Sequence, residues 1–294
     1  MYVILPFEKD FYENKHQYKV EFVGHPLIDA IHNRKTVNEI EFRKENNLSD
    51  KPIIAILPGS RKQEIAKMLS VMLSIVDDFP DYQFVIAGAP SQEYSFYSAF
   101  LTSDNCHFIS NRTYDLLSVS YAALVTSGTA TLETALFKVP EVVCYKGSWL
   151  SYQIAKRIVT LKYISLVNLI MDKEVVTELI QENLNSNSLK IELQKLFDLN
   201  YRKEILENYN TLEKKLGGIG ASQKTAELIG KLCKFQNEYA GYDFYKQVSI
   251  PDRAKSRNEG ILNNINSIDA AISRGKKITF NYCDYNYKKE LVYR

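Results

Sequence analysis

The strongest constraint on the fold is an alternation that runs from residue 20 to residue 146. Short runs dominated by Val, Ile, Leu, Ala and Phe take turns with longer stretches of helical period. The runs lie at 20–23, 53–57, 84–87, 107–109, 123–126 and 142–145. Between the second and third of them, Ile65, Met68, Leu69, Met72 and Val76 recur at three- and four-residue steps and make one apolar stripe. Strands that are apolar almost throughout, separated by amphipathic helices, predict a parallel sheet covered on both faces. The fold class is therefore α/β, with a Rossmann-like, doubly wound domain. Ligands of such a sheet sit outside the carboxyl ends of its strands.

Residues 149–235 read as mostly helical. Asp172 is a fair N-cap for a helix carrying Val175, Val176, Leu179 and Ile180. Further helices are predicted over 187–197 and 201–233, with a break at Gly217-Gly218. Past about 235 the character changes. A Tyr-rich stretch at 239–249 leads to a basic one at 253–257, then to a helix around 265–273 and two strand-like runs at 277–282 and 289–293. The expected organisation is a short leading segment (1–19), the Rossmann-like domain (20–185), C-terminal helices (186–235) and a short α+β tail (236–294). Met1 runs straight into Tyr2-Val3-Ile4-Leu5-Pro6-Phe7, which reads as a strand already under way. That start predicts that the first residues complete a domain lying upstream.

Composition narrows the class further. With 294 residues, 45% of them hydrophobic, there is apolar material for a real core. The net charge of +2 gives no global signal for nucleic acid or for a membrane. Cys106, Cys144, Cys233 and Cys283 form no CxxC, and no pair of histidines completes a metal site. Scattered thiols of this kind fit a reducing cytosol. No apolar run is long enough to cross a bilayer, and the N-terminus has no signal-peptide pattern.

Two strand-to-helix turns carry the candidate chemistry. The first is Leu57-Pro58-Gly59-Ser60-Arg61, with Glu64 one turn on. Gly59 lets a ligand approach the backbone, the helix start offers free N–H groups to an anion, and Arg61 adds a fork of donors suited to a diphosphate. Taken alone, it reads equally well as a plain strand–helix turn with a surface arginine. The second is Thr126-Ser127-Gly128-Thr129-Ala130-Thr131-Leu132-Glu133. Its hydroxyls and N–H groups suit phosphate, whereas Glu133 suits the diol of a ribose. Its bland alternative is a capped helix with a solvated glutamate. Two anion-ready turns on one parallel sheet make the functional reading the stronger one.

In series with these turns stand Val20-Glu21-Phe22-Val23-Gly24-His25-Pro26-Leu27-Ile28-Asp29, Tyr163-Ile164-Ser165-Leu166-Val167-Asn168-Leu169-Ile170 and Glu178-Leu179-Ile180-Gln181. In this order and spacing, over residues 1 to about 235, the chain resembles lipid-A-disaccharide synthase. The resemblance implies a GT-B glycosyltransferase of lipid A biosynthesis, with the donor held by this C-terminal Rossmann-like domain. Its substrates would be UDP-2,3-diacylglucosamine and 2,3-diacylglucosamine 1-phosphate, joined with release of UDP. It also implies roles residue by residue. Gly59, Ser60 and Arg61 face the diphosphate; Ser127, Gly128 and Thr129 hold phosphate; Glu133 binds the ribose; Asn168 and Gln181 lie near the donor sugar or the nucleotide cleft. Val167 and Thr177 stand where many relatives have proline.

No Asp-x-Asp pair occurs in the chain, which agrees with metal-independent transfer and calls for no cofactor. His25 reads as a turn residue rather than a base. The resemblance puts the catalytic base in an N-terminal domain, so a chain of this span is expected to bind donor and turn over little. The stretch 146–162, with Trp149, Leu150, Lys156 and Arg157, suits either an anionic inner-membrane surface or packing against another domain. A homodimer is a further possible partner, and no nucleic acid is expected. The tail from Pro251 to Tyr282 is similar to the start of a WYL domain, a ligand-sensing module of bacterial regulators. The alternative function is thus a non-catalytic UDP-sugar-binding remnant fused to a regulator fragment.

Overall fold

The computed structural model describes residues 1–147, 162–238, 283–285 and 291–293. The chain divides into two compact units, Met1–Gln236 and Asn237–Arg294. In the second, β9 (Cys283–Tyr285) and β10 (Leu291–Tyr293) pair antiparallel, with Leu291 opposite Tyr285. The helix expected around 265–273 and the strand expected at 277–282 lie outside the described residues.

The first unit is built on a six-stranded sheet of β3 (Ile53–Leu57), β4 (Gln83–Gly88), β5 (Cys106–Ser110), β6 (Ser120–Thr126), β7 (Glu141–Tyr145) and β8 (Glu178–Ile180). All its pairings are parallel, in the spatial order β5-β4-β3-β6-β7-β8. The period-2 alternation of a strand sends Ile54 and Ile56 of β3 into one hydrophobic core and Ile53, Ala55 and Leu57 into another. Helix α4 (Lys62–Met72) closes the first core with Ile65, Met68, Leu69 and Met72, the stripe read from the sequence. On the other face, α3 (Glu39–Glu45) contributes Phe42 and α6 (Thr113–Ser118) contributes Leu116 and Leu117. The remaining helices are α1 (Pro6–Asp10, continued by a wide turn over Phe11–Lys15), α2 (Pro26–His32), α5 (Tyr94–Ser98), α7 (Thr129–Leu136), α8 (Leu166–Met171), α9 (Ser186–Lys195), α10 (Leu199–Lys215) and α11 (Ala221–Glu238). Leu189 and Leu193 of α9 and Ile205, Tyr209 and Leu212 of α10 enter the same core as the sheet.

Strand order sets the position of the site. The chain winds from β3 out through β4 to β5, then returns to β6 and winds the other way to β7 and β8. The order therefore reverses between β3 and β6, and the crevice of such a sheet opens at the carboxyl ends of those two strands. Leu57 and Val125 are register partners, so the Gly59 and Gly128 turns leave the sheet side by side.

Two sequence expectations are corrected. The run at 20–23 does not join the main sheet; β2 (Glu21–Phe22) pairs parallel with β1 (Tyr2–Val3). Asp172 is not an N-cap. It ends α8 in the left-handed region at φ 51°, and the apolar residues after it lead into β8, an edge strand with Glu178 opposite Val143. The spacing of Val175, Val176, Leu179 and Ile180 fits a helix, but hydrogen bonding to β7 decides for strand.

Candidate functional site

The crevice is built first from helix ends. Asn38, Ser165, Asn185 and Asp198 side chains cap α3, α8, α9 and α10, while α5 and α6 start without such a cap. Helices α4 and α7, which open on the crevice, start at Arg61 and Gly128 with no side-chain cap. Their leading N–H groups are thus not taken by a cap, and both dipoles favour an anion there. Gly59 sits at φ 102°, a conformation glycine adopts without steric cost. A Cβ there would lie 2.5 Å from Glu64 Oε2, so the Glu64 carboxylate folds back over the turn. Ser60 and Arg61 are exposed, and Ser91 Oγ donates to the Ser60 carbonyl at 3.0 Å.

At the second turn the expected cradle is narrower than the sequence implies. Ser127 N–H donates to Cys144 O at 3.1 Å, and Ser127 Oγ donates to Ile164 O at 3.0 Å. Both donors of Ser127 are committed, which leaves the exposed Gly128 and Thr129 as the open ones. Among the described residues, chain neighbours aside, no atom lies within 4 Å of a Cβ built on Gly128. Glu133, one turn further along α7, accepts from Tyr114 Oη at 3.0 Å. Burial raises the Glu133 carboxyl above its usual range, opposed by the Tyr114 bond. The Tyr114 hydroxyl is pushed up to about 12 by burial and by the neighbouring carboxylate.

The third wall is a hydrogen-bonded clamp. Glu178 on β8 accepts from Ile164 N–H and Ser165 N–H, each at 2.9 Å, and from Asn168 Nδ2 at 2.9 Å. Asn168, fully buried, also donates to Val176 O at 2.8 Å and accepts from Val175 N–H at 2.7 Å and Val176 N–H at 3.1 Å. Its amide has no unused bond, so its place at the crevice is to fix the 163–168 segment that Ser127 grips. Gln181 follows β8 at φ 55° and is buried, with Nε2 meeting no partner among the described residues. Thr126 Oγ1, at the end of β6, is likewise buried without one. His25 is an N-cap: its Nδ1 accepts from Leu27 N–H at 3.2 Å, and burial holds its pKa below the usual value. The sequence offered no cue for Tyr114. Glu178 stood in a motif without a role, and Ser165 caps α8 through Asn168 N–H at 3.2 Å.

A family model for lipid-A-disaccharide synthetase matches residues 1–229. The chain belongs to this family. It is 36% identical over 242 residues to the lipid-A-disaccharide synthase of Syntrophus aciditrophicus, covering 80% of the chain and 63% of that protein. It is 36% identical over 238 residues to that of Coxiella burnetii (79% and 62%) and 34% over 243 residues to that of Geobacter sulfurreducens (79% and 62%). The chain thus spans less than two thirds of the length of these relatives. Among solved structures it is similar to the UDP-GlcNAc 2-epimerase of Neisseria meningitidis bound to UDP-GlcNAc, at 17% identity and a TM-score of 0.57, covering 78% of the chain and 61% of the epimerase. At that identity the likeness concerns the fold alone, a parallel α/β sheet covered by helices. The family expected from the ordered motifs is the family found. No helix among the described residues is long and apolar enough to cross a membrane.

Proposed function

We propose that the crevice between β3 and β6 binds the UDP part of a nucleotide sugar, and that the chain is the donor-binding portion of a lipid-A-disaccharide synthase. The observation that carries this is the pair of uncapped helix starts, Arg61 and Gly128, at the point where strand order reverses. In this reading Gly59, Ser60 and Arg61 meet the diphosphate, with Gly128 and Thr129 facing them. Glu133 takes the ribose diol. Gln181, with its free amide donor, faces the donor sugar, and Asn168 with Glu178 holds the wall between. In the transfer, an acceptor hydroxyl of 2,3-diacylglucosamine 1-phosphate forms the new bond to the anomeric carbon of the donor. The bond from that carbon to UDP breaks, and the helix dipoles and Arg61 carry the charge that UDP takes away.

The acceptor hydroxyl must give up its proton to a base within reach. Among the described residues that form the crevice, Glu178 is held by backbone N–H groups, Glu133 is assigned to the ribose, and the Glu64 carboxylate lies over the Gly59 turn on the diphosphate side. The chain alone is therefore proposed to bind donor and to turn over little. Peripheral contact with the inner membrane belongs to the same reading, motivated by the acyl chains of the substrates, and a homodimer is a further partner in it; the basic stretch proposed for the membrane contact lies mostly outside the described residues. A second reading, a non-catalytic nucleotide-sugar-binding protein with a WYL-like tail, is favoured by one fact: the family match ends at residue 229.

Calorimetric titration of the 294-residue chain tests the proposal. Saturable binding of UDP, weaker binding of UMP, and a loss of about tenfold in UDP affinity on Arg61→Ala are expected, the scale of one charge-assisted contact. Absence of UDP binding by the folded chain overturns it. Disaccharide formation at an ordinary enzymatic rate by the chain alone overturns the claim of little turnover.

A further inference from the structure

The contact between Tyr114 and Glu133 has no place in the motifs that define the site. Tyr114 stands on α6, at the opposite end of β6 in sequence from α7, and reaches Glu133 across space. Its position is fixed from three sides. Arg34 Nη1 donates to the Tyr114 carbonyl at 2.9 Å, and Arg34 also pairs with Asp115, the next residue. Ser118 Oγ donates to the same carbonyl at 2.7 Å. The Tyr114 ring packs on Phe137 at 5.2 Å between centroids, and the Arg34 guanidinium lies over the other neighbour of that pair, 5.2 Å from the Phe137 centroid. A hydroxyl held this firmly is a directional donor. It occupies Oε1 of Glu133, while Oε2 has no hydrogen-bond partner among the described residues.

We propose that Tyr114 is a positioning residue: by holding Oε1 of Glu133 it aims Oε2 at the ribose diol and so sets the preference of the crevice for ribonucleotides over deoxyribonucleotides. This rests on the proposed nucleotide site. A carboxylate has acceptor capacity for Tyr114 and for a diol at once. Without the tyrosine, the glutamate gains rotamer freedom, and the diol must order it on binding. The cost falls on ligands that use the carboxylate. A 2′-deoxynucleotide, which keeps only the 3′-hydroxyl, makes one bond fewer to Glu133 and loses less when the tyrosine is removed.

The test compares UDP with 2′-deoxy-UDP by calorimetry on the full chain, in the wild type, Tyr114→Phe, Glu133→Gln and the double variant. Tyr114→Phe keeps the ring on Phe137, and its melting temperature reports whether the fold is intact. The wild type is expected to prefer UDP by about tenfold, one good hydrogen bond to a charged group. Tyr114→Phe should lose most of that preference, with its affinity for 2′-deoxy-UDP falling much less than that for UDP, and should add nothing further in the Glu133→Gln background. A folded Tyr114→Phe with the full preference overturns the inference alone, as does a wild type that binds the two nucleotides equally. A wild type that binds neither overturns the nucleotide site and the inference with it. A variant that loses affinity for both nucleotides equally is a structural effect and also overturns the positioning role.

Discussion

Asn168 shows how one side chain can build a wall without touching what the wall encloses. Its amide makes four hydrogen bonds, two donated and two accepted, to Val175, Val176 and Glu178, all from a fully buried position. Replacing it by alanine leaves two backbone N–H groups and one carbonyl without partners, each costing roughly 1–3 kcal/mol when buried. Asn168→Ala is therefore expected to lose about 3 kcal/mol of stability in denaturant titration and to weaken UDP binding through the loosened 163–168 segment. Val167→Pro, on the adjacent N-terminal turn of α8, removes an N–H at a helix start where it is expendable, and it should leave both properties within error. A neutral Asn168→Ala would refute the clamp. The residue scale also explains what the sequence hid. The Ser127 hydroxyl reads as a phosphate ligand until Ile164 is seen to accept from it. Tyr114 is invisible because nothing in the sequence places α6 against α7.

At the scale of elements, the strands that form the interior of the sheet were legible because each is apolar on both faces, which only a covered parallel strand needs to be. The turns after β3 and β6 were legible for a related reason: a glycine between an apolar run and an amphipathic one has few other uses. The edge strand β8 was not, since three residues carry no period and its neighbours Val175 and Val176 suit a helical stripe equally well. The start of α11 was not legible either. Its cap comes from Asp29 on α2, whose carboxylate accepts from Gly220 N–H and Ser222 N–H, each at 2.7 Å. Those two bonds hold the Asp29 carboxyl below its usual pKa. Nearby, Gly24 at φ 95° lets the chain pass Leu216 O and Ala221, which a Cβ would approach to 3.3 and 3.2 Å. Asp29→Ala is expected to fray the first turn of α11, seen as faster amide exchange at residues 220–225, and to cost about 1 kcal/mol, a typical cap. The sign of the pH effect follows from the depressed pKa. The contribution is present above the usual carboxylate range and is lost as pH falls through the lowered value, so wild type and Asp29→Ala should converge in acid. Exchange at 220–225 that is unchanged in the variant would refute the cap.

At the scale of the whole molecule, one charge-bearing group among the described residues is not served by the fold. Glu141 begins β7, fully buried, and neither carboxylate oxygen has a hydrogen-bond partner among the described residues. It stands at the amino end of β7, in register with Ala123, away from the crevice at the carboxyl ends, so the proposed nucleotide site makes no demand on it. Burial raises its pKa well above the usual carboxylate value. The carboxyl therefore keeps its proton on folding and releases it on unfolding. In the window above the unfolded pKa the native state binds more protons, and stability falls as pH rises, until the raised native value is reached. The slope from a single group is at most about 1.4 kcal/mol per pH unit. Glu141→Gln keeps the shape and removes the proton equilibrium. Unfolding by urea at pH 5, 6, 7 and 8 should give a stability difference between Glu141→Gln and wild type that grows with pH in favour of the variant. Taking the difference cancels the other titrating groups, Asp29 among them. Curves that stay parallel across this range would mean that Glu141 is solvated or paired in solution, and that the interior of the sheet is less dry at its amino end than its packing implies.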